Sequence, residues 1–313
     1  MPRHSNDSGA TGPVVGRLRV YPPDAAISDW LIDQPRRYIV GRGEQADCRV
    51  ADRRVSREHL ALDLESQPWR VSDLGSKNGT RLNGRPLDSL ALPEHCWLSL
   101  GGVPAHFETL NPERADRLRR TRRDRIEQSQ RMLARLTPGL DHEQLLDTTL
   151  NDYLALAECS RGGLFLLEAD GKQRLARAMG LEQGEGSLSV IAEVLESATP
   201  RIIADVRREQ ALAERESIVA GAIETVVCIP LRVGESTLGA LYADSNEPGK
   251  QFSALDLELM QALARQAAFV LALGRMRDDI LAMRRTLPGS LEEAEADGKL
   301  IRLLERSAPA TRR

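Results

Sequence analysis

Ser56, Arg57, Glu58 and His59 place a hydroxyl, a permanent cation, an acid and an imidazole in four consecutive positions of a 313-residue chain. Such a cluster suits nucleophilic catalysis, if the imidazole can activate the hydroxyl, or anion binding, if hydroxyl and guanidinium act as donors. It also suits a polar loop that merely leads into the next strand. More donors stand on either side in the sequence. Gly41-Arg42 comes before the cluster, and Gly75-Ser76-Lys77-Asn78-Gly79-Thr80 and then Leu82-Asn83-Gly84 come after it.

The elements that carry these residues narrow the choice. His59-Leu60-Ala61-Leu62-Asp63-Leu64 alternates like a strand. On that reading Ser56 and His59, three apart in extended chain, point to opposite faces and do not form a nucleophile–base pair. No oxyanion or orienting-acid motif accompanies them, which sets catalysis aside. Residues 14–110 are strand-like throughout, with "VVGRLRVY", "RRYIVG", "WRVSDL" and "HFETL" separated by Gly- and Asn-rich turns such as "GSKNGT" and "LNGRPL". Short strands at regular spacing predict an antiparallel sandwich.

Residues 111–139 change character, with nine arginines against four acids up to residue 136 and helix formers throughout. Their apolar positions are scattered, so the segment reads as a solvated linker helix. From 140 to 273 helix and strand alternate. An amphipathic helix follows Asp141 as N-cap, and a hairpin turns at Gly234-Glu235-Ser236. The ends, 1–13 and 274–313, read as a disordered N-terminus and a helical or disordered tail.

The 43 basic and 46 acidic residues give no global bias towards nucleic acid or anionic membrane. No apolar run approaches the roughly 20 residues of a membrane span, and the first residues lack the apolar core of a signal peptide. A cytoplasmic location is expected. Cys48, Cys96, Cys159 and Cys228 lie far apart and read as buried thiols, and none of the five histidines stands at helical spacing from another. No metal site is expected.

The ordered set Gly41-Arg42, Ser56-Arg57-Glu58-His59, Gly75 to Thr80 and Leu82-Asn83-Gly84 resembles the forkhead-associated (FHA) domain, over residues 14–110. The resemblance implies a sandwich that binds phosphothreonine peptides with the loops at one end. It places Arg42 and Ser56 on the phosphate, brings Arg57 within reach of it, sets Asn78 on the peptide backbone and puts Lys77 or Ser76 at the rim. A phosphothreonine carries between one and two negative charges and three acceptor oxygens, which such donors match. His59 is implied to be a buried imidazole tying loops together. Gly41 and the Asn83-Gly84 turn are structural.

Residues 140–273 resemble a GAF domain, carried by "LDHEQLLDTTLNDYL", "CSRGGLFLLE", "VVCIPLRVGESTLGALYADS" and Phe252 with Asp256. The resemblance implies an α+β domain with a central antiparallel sheet that dimerises or binds a small molecule. Asn246, Phe252 and Asp256 keep part of a cyclic-nucleotide signature, while Glu247 and Leu257 depart from it. No cofactor is identified beyond an unnamed small ligand. The leading expectation is a non-enzymatic signalling adaptor, its partners a Thr-phosphorylated protein, such as a serine/threonine kinase, and a second copy of the chain through its terminal helices. The alternative is a transcriptional regulator that contacts nucleic acid through the arginine-rich segment. Thr121, between Arg120 and Arg122, is a candidate phosphorylation site whose phosphate would dock at the chain's own Arg42.

Overall fold

The computed structural model describes residues 14–65, 68–168, 170–181, 187–204 and 223–286. The first domain contains strands β1 (Val15–Val20), β2 (Ser28–Ile32), β3 (Arg37–Gly41), β4 (Cys48–Arg49), β5 (Leu60–Asp63), β6 (Arg70–Asp73), β7 (Thr80–Leu82), β8 (Arg85–Leu87), β9 (Ser89–Ala91), β10 (His95–Leu100) and β11 (Val103–Leu110). They form a six-stranded sheet, β2-β1-β11-β10-β7-β8, and a five-stranded sheet, β4-β3-β5-β6-β9. Alternation explains the layering: Cys96, Leu98 and Leu100 of β10 and Ala105 and Phe107 of β11 are buried, whereas Trp97 faces solvent. Leu18, Val40, Leu60, Leu62 and Val71 from both sheets complete the core. Asn83 and Gly84, both with positive φ, close the two-residue β7–β8 hairpin, and Asn83 Oδ1 accepts from Trp97 N at 3.0 Å.

Helix α1 (Pro112–Arg135) starts at Asn111, whose side chain accepts from Arg114 N, with Pro112 at the first turn. It is solvent-exposed over most of its length, as its composition suggests, but both ends are packed. Ala115 and Leu118 pack with Val15, Leu31 and Leu110 of the first domain, while Met132 and Leu136 are buried towards its other end. Leu136 O accepts from Gln266 Nε2 at 2.9 Å. The apolar residues look scattered because each end of the helix serves a different domain.

The second domain runs α2 (His142–Ala157), β12 (Arg161–Leu167), β13 (Gln173–Met179), α3 (Leu188–Ser197), β14 (Arg201–Ile203), β15 (Thr225–Val233), β16 (Ser236–Ser245) and α4 (Ala254–Thr286). Asp141 and Gln144 form a capping box at the start of α2. The sheet is β13-β12-β16-β15-β14, antiparallel at each pairing. One face packs against α3 through Phe165, Val190, Ile191, Val194, Cys228 and Tyr242. The two domains meet directly: Ile27 N donates to Phe252 O at 2.8 Å, and Ala254 N donates to Ile27 O at 2.7 Å.

Candidate functional site

The turn that carries Ser56 corrects the strand geometry expected for it. The strand begins only at Leu60, and residues 56–59 fold so that Ser56 N donates to His59 Nδ1 at 2.9 Å. The imidazole thus engages the serine backbone, not its hydroxyl. His59 is fully buried, and its Nε2 lies 3.4 Å from Gly79 O. With Nδ1 accepting and the Nε2 proton facing that carbonyl, the ring is neutral, and burial lowers its pKa below the usual value. It therefore fastens the Ser56 turn to the Gly75–Thr80 loop.

The backbone around the turn is closely fitted. Arg42 N donates to Ser56 O and Gly43 N to Arg57 O, and a Cβ on Gly41 would lie 2.1 Å from Arg57 O. Only glycine allows this approach. The Ser56 hydroxyl oxygen accepts from Lys77 N at 3.0 Å, which leaves its proton to donate outward. Asn78 Nδ2 donates to Arg54 O at 2.8 Å, so its Oδ1 is presented at the surface.

These loops enclose an open trough of about 720 Å³. Arg42, Ser56, Arg57, Lys77 and Asn78 all line it, as do Arg53 and Arg54. Ser76, expected at the rim, is turned away from the trough. Its N and Oγ donate to Asp73 at 2.9 and 2.7 Å, and Thr80 Oγ1 donates to the same carboxylate at 2.5 Å. Burial raises the Asp73 pKa, but the bonds from Thr80 and Ser76 outweigh it and hold the carboxyl below its ordinary range.

Arg54 is committed to Asp52 through a two-point contact at 3.0 and 2.6 Å. Arg42, Arg53, Arg57 and Lys77 have no carboxylate partner among the described residues. Against these four cations the acids lining the trough are, among the described residues, Glu44 and Glu58. The result is a concentrated positive field with a neutral hydroxyl donor and an amide beside it, suited to a multiply charged oxyanion on an extended chain. Arg53 is the residue that motif reasoning missed. Its position next to Arg54-Val55-Ser56 was the available signal.

The other expectations fare differently. Phe252 is buried and its carbonyl is bound by Ile27. Asp256 accepts from Ser253 N and Oγ at 2.8 Å and pairs with Arg125 at 2.8 Å, and Asn246 is exposed. Capping and domain docking thus replace the small-ligand role considered for Phe252 and Asp256. Cys48, Cys96 and Cys228 are buried, but Cys159 is only half-buried. Burial nonetheless pushes the Cys48 thiol up to about 12 and the Cys96 and Cys159 thiols up to about 11. Of the nine arginines in α1, Arg114, Arg119, Arg125 and Arg135 are spent on ion pairs with carboxylates. Thr121 lies exposed within the helix and lines a different cavity from the Arg42 trough.

Residues 38–101 match the family model of the FHA domain, and residues 141–271 match that of the GAF domain. The chain carries an FHA domain followed by a GAF domain. Its FHA region is similar to the glycogen accumulation regulator GarA of Mycolicibacterium smegmatis, 42% identical over 84 residues, 27% of this chain and 52% of GarA. The chain thus spans about half the length of that relative. Among solved structures, the FHA-1 domain of Mycobacterium tuberculosis Rv1747 is 30% identical, covers 31% of this chain and 98% of its own, and has a TM-score of 0.28. The GAF domain of an Acinetobacter phosphoenolpyruvate-protein phosphotransferase is 14% identical, covers 48% and 94%, and has a TM-score of 0.41. The trough belongs to the FHA domain. Among the described residues no cluster of His, Cys, Asp or Glu could hold a metal ion, and no helix is long and apolar enough to cross a membrane.

Proposed function

We propose that the chain is a phosphothreonine-dependent signalling adaptor, with the FHA trough as its docking site. The observation that carries this is the set of cations without a carboxylate partner among the described residues, Arg42, Arg53, Arg57 and Lys77, lining one trough with the Ser56 hydroxyl and Asn78. Arg42, Ser56 and Arg57 take the phosphate, Asn78 takes a backbone group of the peptide, and Lys77 and Arg53 add charge at the rim. A Thr-phosphorylated protein, a serine/threonine kinase among the candidates, is the partner, and the chain acts without chemistry of its own.

In the GAF domain Phe165, Val190, Ile191, Val194, Cys228 and Tyr242 join α3 to the sheet in one apolar cluster, which favours a scaffold role. Helix α4 supports self-association. Leu273, Met276, Ile280 and Met283 recur at spacings of three and four, and Met276, Ile280 and Met283 are more than 60% exposed. Such a/d spacing suits a two-stranded coiled coil with a second copy.

A phosphothreonine-oriented peptide library, read with wild type and Arg42→Ala, tests the docking site. Loss of the main phosphate cation should cost about 2–5 kcal/mol, enough to abolish detectable capture of a modest ligand. Equal capture by Arg42→Ala, or equal capture of unphosphorylated peptides, refutes the assignment.

A further inference from the structure

We infer that a second binding site lies where the FHA domain, α1 and the GAF domain meet, and that it takes a small amphipathic anion. Its ligand has an apolar, ring-sized body bearing one carboxylate, sulfonate or phosphate. The cavity there measures about 400 Å³, within the range of roughly 300–1,000 Å³ typical of small-molecule sites, which favour domain interfaces. All three parts contribute apolar lining: Ile27, Trp30 and Leu31 from the FHA domain, Leu118 from α1, and Ala254 and Leu255 from the GAF domain. None of these residues lines the Arg42 trough.

The charges decide the sign of the ligand. Asp29 is taken by Arg17 at 2.9 and 2.5 Å, and Arg17 also reaches Glu108. Asp47 accepts from Arg36 and from Ile39 N, both at 2.7 Å. Asp256 is held by Ser253 and Arg125. These lining acids, with Arg17 and Arg125, are already compensated. Arg49 on β4 and Arg122 on α1 have no carboxylate partner among the described residues, and Glu258 is the one lining acid that no cation answers among them. Two lining guanidiniums without a carboxylate partner among the described residues, beside an apolar lining and against one such acid, favour a compact anion with an apolar body. Such a ligand touches three parts at once, so it would stabilise their docking by an amount that grows with the logarithm of its concentration above the dissociation constant.

Titration of the full chain with anilinonaphthalene sulfonate, alongside its neutral counterpart phenylnaphthylamine, tests this. The sulfonate should saturate one class of sites, bind at least tenfold more tightly than the neutral probe and raise the melting temperature. The Arg49→Gln/Arg122→Gln double variant, with unchanged circular dichroism, should lose that tenfold preference. Trp97→Ala, which alters an exposed aromatic outside the cavity, should keep it. The proposal is overturned by non-saturable binding, by equal affinity for the two probes, by a double variant within twofold of wild type, or by loss of binding in Trp97→Ala. Phosphopeptide capture uses the other trough and is read separately.

Discussion

His59 shows how a residue can look chemical and act structurally. Its two ring nitrogens are used by Ser56 N and Gly79 O, so the imidazole joins the two loops that shape the trough. Its pKa is lowered by burial, so the unfolded chain binds the proton more readily than the folded one as pH drops below the ordinary histidine value of about 6.5. Stability should be complete above that value and decline below it, before the carboxylates titrate. Urea unfolding of the wild type between pH 5 and pH 7 checks this, and His59→Ala should reduce that dependence, the remainder coming from His106, whose pKa burial also lowers, while losing about 1–3 kcal/mol from an unpaired Ser56 N–H. The role of His59 was legible only through the family resemblance. Local reading put residues 56–59 in a strand, and periodicity has no means of seeing a side chain that folds back on its own turn. Ser76 escaped for the same reason, since its partner Asp73 is defined by the loop's path rather than by type or spacing.

At the scale of elements, the short strands were visible where apolar residues alternate, as in β5 and β11. Three-residue strands such as β7, β8 and β9 are too short to display a period. Helix α1 was legible as a helix but not as a strut. Arg125 explains why, because one residue of a basic run turns out to bind Glu158, Asp256 and Leu156 O across the domain junction. Arg125→Ala should leave the half-buried Asp256 without its cation, at about 1–3 kcal/mol. Limited proteolysis should then show faster cleavage within α1, while phosphopeptide affinity stays near wild type. Gly41 gives the converse case on β3. Gly41→Ala touches no ligand, yet a Cβ 2.1 Å from Arg57 O must displace the turn that carries Ser56 and Arg57. Phosphopeptide affinity measured by calorimetry should fall at least tenfold, with the GAF domain unaffected.

At the scale of the whole molecule, the proposed self-association would set the valence. With Leu273 at position a and Met276 at d, Ile280 and Met283 repeat the pattern, Asp279 falls at g and Arg284 at e. In a parallel pair each Asp279 would face the other copy's Arg284, an attraction that an antiparallel pair lacks. A two-fold assembly of this kind carries two FHA troughs, so two phosphothreonines on one partner, or on a clustered surface, are held at an effective concentration set by the spacing of the troughs. Ile280→Asp places a like-signed pair of carboxylates on the seam and should leave a monomer in sedimentation equilibrium. Affinity for a single phosphopeptide in solution should stay unchanged, because the trough is untouched. Retention on a densely phosphorylated surface should drop by one or two orders of magnitude as the second attachment is lost. A variant that sediments as a dimer would remove α4 from the interface, and a monomer retained as strongly as wild type would remove valence from the function.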